Sequence, residues 1–353
     1  NYTGHGGENA WSNASLLTLA DIEAMQNGPR QPCVVTATCE FGRWDDHAFR
    51  SGGELFLLRE EGGAIAMFTT VRLVFSGPNE NLNRNFYREV FTYDQDKGRM
   101  PTIGEIMMRA KNATFKVKKD DINSRNFTLL GDPGLILAYP ELKAAITSIN
   151  NEPVAPAVPD TLRPLTKVKI EGIITDVDGT SIPDFNGDMA VTVFDKPNKY
   201  FGRLVPDFSF LWQNSRIFSG NVSVVDGAFA IEFVTPLDVS YEDGKGKISL
   251  YFHDEYRDGG GSYSNLVVGG TEGTNEDDQG PTVQLFMNDE FWKDGGTTGP
   301  DPYLFAKVFD ESGINTATGG IGHELIGFLD GNEENPIILN TYYNAARDDY
   351  RSG

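Results

Sequence analysis

Two residues in the first forty-six have the types and setting for nucleophilic chemistry. His5 lies in a Gly4-His5-Gly6-Gly7 turn, and Cys39 follows thirty-four positions later at the end of Val34-Val35-Thr36-Ala37-Thr38. A thiol is a weak nucleophile until it loses its proton, and a neighbouring imidazole can take it. Glycine after the histidine allows a sharp turn that aims a backbone N–H at a developing oxyanion. The N–H groups of Gly6 and Cys39 are the candidate oxyanion donors. A second reading stands beside this one, because free cysteine is among the most buried residue types and often only fills a core. Cys33, of the same strand parity as Cys39, fits that second reading. One cysteine and one distant histidine do not by themselves decide between the two.

The elements that must position this pair alternate between strand and helix. Val34 to Thr38 is β-branched except at Ala37, which suits a strand buried on both faces. Tyr2 and Thr3 fit the end of another. Open sheets with helices on both faces bind ligands at the carboxyl ends of parallel strands, where His5 and Cys39 would meet across one crevice. Thr18-Leu-Ala-Asp21 and Ser51-Gly-Gly-Glu54 read as capping boxes opening two helices. Gly63 to Thr70 is the next buried strand, Asn79 to Thr92 a helix, and Pro101-Thr102 opens another that runs through Ala113. Leu135 to Ala138 is the expected last strand. The pattern predicts an α/β layer structure over 1–150. The loop from Val71 to Pro78 leaves a strand end beside the pair, carrying Arg72 and Phe75. Trp11, Glu40 and Trp44 are the other side chains expected at the rim, either lining a pocket or simply packing it.

Composition narrows the function. The 353 residues carry a net charge of −21, with a pI near 4.5. Nucleic acid and anionic lipid both demand a basic face, so neither is an expected partner; an acidic surface suits a secreted or cell-surface protein. Two cysteines make no disulfide framework, and four histidines, His5, His47, His253 and His323, form no zinc-binding pattern. No apolar run approaches the roughly 18 residues of a membrane helix.

Beyond the first 150 residues the pattern changes. Pro153, Pro156, Pro159 and Pro164 predict a semi-rigid linker over 151–165. Short alternating runs, Val168 to Thr175, Met189 to Phe194, Gly227 to Val234 and Lys247 to Phe252, predict an immunoglobulin-like β-sandwich over 166–270. Gly259-Gly-Gly261 reads as turn. Asp176 and Asp178 could touch Ca²⁺, though Asp-x-Asp-Gly is first a turn signal. A further β-rich unit is expected over 281–353.

Three motifs resemble the gingipain family of cysteine peptidases: Asn1-Tyr-Thr-Gly-His-Gly-Gly-Glu-Asn-Ala-Trp11, Thr36-Ala-Thr-Cys39-Glu-Phe-Gly42 and Phe127-Thr-Leu-Leu-Gly-Asp-Pro-Gly-Leu135. They occur in family order. Asp310-Glu-Ser-Gly-Ile-Asn315 and Gly320-Ile-Gly-His323 resemble segments located after the peptidase domain in the sortase branch of the family. The resemblance is strong over about the first 140 residues and loose beyond. It implies a caspase-like sheet with a His5–Cys39 dyad, and a pocket to which Phe75 contributes. It further implies a surface sortase of the type IX secretion system. Such an enzyme removes a C-terminal sorting domain from secreted cargo and joins the cargo to a cell-surface acceptor, at the outer membrane of a Bacteroidetes-type bacterium. Its partners would be that cargo and other secretion-system surface proteins. A plain secreted protease and a non-catalytic adhesin or scaffold are the alternatives. The family has a long segment ahead of the histidine motif, so the chain reads as an internal fragment, expected to be inactive alone.

Overall fold

The computed structural model describes all residues except 119–121, 203–206, 238, 240–241, 271–278 and 317–323. The chain divides into two compact units, Asn1–Tyr139 and Pro140–Gly353.

The first unit contains β1 (Tyr2–Thr3), β2 (Gly6–Gly7), β3 (Ala10–Trp11), β4 (Leu17–Thr18), α1 (Leu19–Glu23), β5 (Cys33–Ala37) and α2 (Gly52–Leu58). It continues with β6 (Ala66–Thr70), α3 (Ser76–Val90), α4 (Ile103–Lys118), α5 (Ile122–Asn126) and β7 (Phe127–Gly131). Its main sheet has the order β1-β5-β6-β7. The first three strands are parallel and β7 is antiparallel to β6. Alternation along β5 and β6 sends Val35, Ala37, Ala66 and Phe68 against α3 and α4. Val34 and Met67 point the other way, against Ile22 of α1 and Phe56 of α2. With both faces covered, the strands are apolar but for buried threonines, and Thr36 Oγ1 donates to Thr69 Oγ1 at 2.8 Å. Both predicted capping boxes form, Thr18 with Asp21 and Ser51 with Glu54. Thr102 and Glu105 make the same reciprocal bonds at the start of α4.

The last strand differs from expectation. It is Phe127–Gly131, and Leu135 to Ala138 forms no strand. Leu135 and Leu137 instead pack on the core beneath α3 and α4, and the Leu135 carbonyl accepts from Ile103 N at 2.9 Å. A short apolar run serves a core equally well as strand or as packed coil, and periodicity cannot separate the two.

The second unit is built of strands: β8 (Leu142–Ile149), β9 (Glu152–Pro153), β10 (Asp160–Leu162), β11 (Lys167–Asp176), β12 (Gly187–Phe194), β13 (Asn198–Phe201), β14 (Ser209–Trp212), β15 (Arg216–Val224), β16 (Ala228–Val234), β17 (Gly244–His253), β18 (Asp258–Val268), β19 (Thr282–Met287) and β20 (Leu304–Phe309), with the short pair β21 (Ile326–Gly327) and β22 (Ile337–Ile338). Seven of them form one path, β15-β12-β17-β18-β8-β11-β16, in place of the two separate sheets of an immunoglobulin-type sandwich. Phe218 of β15 and Phe233 of β16 stack at 4.8 Å, so the two ends of the path touch. The sheet curls around a single core that includes Val168, Ile231, Phe252 and Leu266.

The join between β18 and β8 is a parallel pairing of only two residues, Gly259 with Leu142 and Gly260 with Lys143. A Cβ on Gly259 would come within 2.5 Å of the Leu142 carbonyl, and one on Gly261 would overlap that of Ala144. The glycine triplet is therefore strand, not turn: it lets two backbones approach where side chains would hold them apart. The proline-rich stretch is likewise not a free linker. Residues of β9 pair with β8 and those of β10 with β18, which puts the unit boundary at 139/140. The 281–353 stretch belongs to the second unit, where Ala345 N donates to Ser219 O at 2.9 Å and Ser223 Oγ donates to Asp348 at 2.6 Å. The Asp176 carboxylate accepts from the N–H groups of Asp178 and Thr180 at 2.9 and 2.8 Å, closing a turn. No group of three metal-ligating side chains occurs among the described residues, and no described helix is long and apolar enough to cross a membrane. His323 lies outside the described residues.

Candidate active site

The register of the first sheet places the pair. Tyr2 is opposite Thr36 and Thr3 opposite Ala37, and Gly4 N continues the ladder to Ala37 O at 3.2 Å. The offset is thirty-four throughout, the same as from His5 to Cys39. Both residues thus leave the sheet at one level, on neighbouring strands about 4.8 Å apart and at their carboxyl ends, where α/β sheets take ligands. His5 is exposed and Cys39 half-buried.

The histidine turn is tied back on itself. The His5 carbonyl accepts from Tyr2 Oη at 2.6 Å and from Ser12 N at 2.7 Å. Tyr2 stacks on Trp11, with ring centroids 4.6 Å apart. Trp11 packs onward against Phe41 and Phe56, so most of its surface is spent on the core of this half of the unit rather than on the rim. Gly6 does not adopt a left-handed conformation. Its lack of a side chain matters because a Cβ there would overlap Thr38 Oγ1. The Ser12-to-His5 bond makes Gly6 opposite Trp11 a wide pair in the β2–β3 hairpin, which leaves the Gly6 N–H outside the ladder.

After β5 the chain turns through Glu40, at φ +53°. Thr70 Oγ1 donates to the Thr38 carbonyl, and Gly42 N donates to Thr70 O at 2.9 Å. The Cys39 N–H finds no acceptor among the described residues. The Cys39 thiol donates to the Val74 carbonyl, Sγ to O 3.7 Å, and no hydrogen bond joins it to the His5 ring. Cys33 packs against the other core, and burial pushes its thiol up. The two cysteines thus differ in setting: one lines the strand end, the other the interior.

The loop after β6 is held from α5. Val71 N donates to Asn126 O at 2.8 Å, and the Asn126 side chain donates to Leu73 O at 2.9 Å. Phe75 N donates to the Asn123 side chain at 3.2 Å, and the Asn123 amide donates to Phe75 O at 3.1 Å. The Phe75 ring is 71 % exposed despite this fixed backbone. Arg72 makes a two-pronged pair with Asp45, at 3.0 and 2.5 Å, which holds the Asp45 carboxyl below its ordinary range. Arg43 bonds Glu8 at 2.6 Å and lies 3.7 Å from Asp45. Glu8, Arg43, Asp45 and Arg72 thereby connect the β2–β3 turn with the loops after β5 and β6. Sequence reasoning misses Glu8, Arg43, Asp45, Asn123 and Asn126: each is a polar loop or helix-end residue whose partner is distant in sequence, and none shows periodicity.

Residues 1–138 match the model of peptidase family C25, the gingipain family. That stretch ends one residue before the boundary of the first unit. Among solved structures, dimeric latent PorU from Porphyromonas gingivalis is 30 % identical over 84 % of this chain and 28 % of that one, with a TM-score of 0.43. The complex of RgpB pro- and mature domains from the same organism is 15 % identical over 76 % of this chain and 53 % of that one, with a TM-score of 0.36. The chain spans less than a third of the PorU chain. No curated protein matches it.

Proposed function

We propose that the family C25 stretch is a cysteine peptidase centre in which Cys39 is the nucleophile and His5 the base. The observation that carries this reading is the shared register: a cysteine just past the end of β5 and a histidine just past the end of β1 leave adjacent parallel strands at one level. In the reaction the Cys39 thiol gives up its bond to Val74 O and passes its proton to His5. Sγ then bonds to the peptide carbonyl carbon. The resulting oxyanion takes the N–H groups of Gly6 and Cys39, neither of which is spent on the sheet or hairpin. The amine leaves with the proton from His5, and a thioester remains on Cys39. The exposed Phe75 offers an apolar wall for the residue before the scissile bond. Arg72 is engaged by Asp45, and its role is to hold that wall's loop to the loop after Cys39. Glu40 adds negative charge at the rim.

The thioester can be opened by water or by an amine. We favour the amine, which makes the protein a sortase: it removes a C-terminal sorting domain from type IX secretion cargo and attaches the cargo to a cell-surface acceptor. The motif resemblance supports this, as does a second unit of over two hundred residues that the chemistry itself does not need. On this reading the protein works at the outer surface of a Bacteroidetes-type cell. The test is mass spectrometry of cargo termini from cells carrying the full-length protein. Amide-linked adducts are expected; C-termini that are all free carboxylates would leave plain proteolysis.

A further inference from the structure

We propose that Asn123 is a positioning residue for Cys39; this rests on Cys39 being the nucleophile. Asn123 is buried, at 2 % exposure, on α5. Its side chain accepts from Phe75 N and donates to Phe75 O, at 3.2 and 3.1 Å, and also donates to the buried Asn79 side chain at 2.8 Å. An amide bonded to both main-chain groups of one residue does for it what a neighbouring strand would do. Asn126 takes hold of Val71 and Leu73 in the same loop. Between the held residues Leu73 and Phe75 lies Val74, and its carbonyl is the acceptor of the Cys39 thiol. The acceptor is therefore fixed in space by α5, not by the loop's own flexibility.

The consequence is a rule for how often the thiol is ready. A thiol proton resting on a fixed carbonyl must be withdrawn from it before His5 can receive it. If Val74 is free to drift, that bond is made less often, and the sulfur spends more time within reach of the imidazole. Asn123 thus holds the resting state of the nucleophile through two main-chain bonds to the residue after its acceptor. The Phe75 ring stays outside this mechanism, since the clamp grips only its backbone.

The test is competitive alkylation of the two cysteines in the full chain at neutral pH, each quantified by peptide mass. Asn123→Ala should raise the Cys39 rate about fivefold, the scale of one modest hydrogen bond lost, while the Cys33 rate stays as it was. Asn123→Asp keeps the acceptor for Phe75 N and loses both donors, so its Cys39 rate should fall between the two. If Asn123→Ala loosens the whole unit, Cys33 labelling will rise in parallel, and the Asp variant then decides. An unchanged Cys39-to-Cys33 ratio in a variant whose Cys33 rate is unchanged overturns the proposal. His5→Ala in the same assay separates the underlying reading. If it leaves the Cys39 rate at the wild-type value, the dyad fails, whatever Asn123 does.

Discussion

The contact between Gly6 and Thr38 can be tested quantitatively. A Cβ on Gly6 would stand closer than 3.0 Å to Thr38 Oγ1, 3.0 Å from the Ala10 carbonyl and 3.4 Å from Thr38 Cβ. Thr38 is fully buried, so its side chain has little room to move aside. The Ala10 carbonyl is backbone within the hairpin and cannot yield alone. Gly6→Ala should therefore cost about 1–3 kcal/mol, the usual range for overpacking a tight site. Thr38→Ala removes a methyl and a hydroxyl that has no hydrogen-bond partner, so it should cost only about 1 kcal/mol. Combined, the two substitutions should cost less than their sum by about 1 kcal/mol or more, because the second makes room for the first. Both cysteines of the chain lie in the first unit. A brief alkylation pulse along a urea series, read at Cys33, therefore follows that unit's unfolding alone. Additivity within about 0.5 kcal/mol, or a Gly6→Ala chain as stable as wild type, would refute the close-approach argument.

In the full-length protein, Cys39→Ala and His5→Ala should each abolish peptide turnover, and the double variant should be hardly worse than either, because residues acting as a unit lose their effect together. Multiplicative losses in kcat/KM would show that they do not share a step. Cys33→Ala should keep turnover, at a packing cost of about 1 kcal/mol; a stable but dead Cys33→Ala enzyme would mean the nucleophile is the other thiol. Acid should weaken the first unit through Glu105, whose carboxyl is brought down to about 2 by hydrogen bonds from Arg99, then Lys97, then the Thr102 N–H. A lowered carboxyl stabilises the fold above its ordinary value of 4.5 and loses that contribution as pH falls towards 2. Glu105→Gln should therefore melt below wild type at neutral pH, with the gap closing between those two values. The described α-helices all lie in the first unit, so ellipticity at 222 nm is the measurement; a gap independent of pH would contradict the assignment.

The parts legible in the sequence are those whose signal is local. Capping boxes at Thr18 and Ser51 announce themselves within four residues, and β5 does so by its run of β-branched side chains. His5 and Cys39 stand out by chemistry, and the sheet register sets them at one level. Pairing at a distance is not legible. Nothing near Asp160 marks it as strand, because its partner, Leu266, is far along the chain and the bonds are made by backbone. Prolines in that stretch read as a linker, yet Pro153 sits at an edge where its missing N–H does no harm. Gly259-Gly-Gly261 carries the same lesson in reverse: a turn signal by composition, and in the fold a point of contact between two strands of the sheet. Asn123 gives no signal because its partner, Phe75, lies forty-eight residues back.

The curled sheet of the second unit sets an order of assembly. Its first strand, β8, can pair with β11 as soon as residues near 176 are available, but its other neighbour is β18, beginning at Asp258. Until that strand arrives, the start of β8, which β9 does not cover, presents an unpaired edge, the kind of surface that recruits strands from other molecules. Such long-range closure is slow, since the entropy of the intervening loop is lost before the contact is gained. Wherever this chain is made or exported, the interval between the emergence of β8 and that of β18 is when it most needs protection. Any truncation upstream of Gly259 would make that interval permanent.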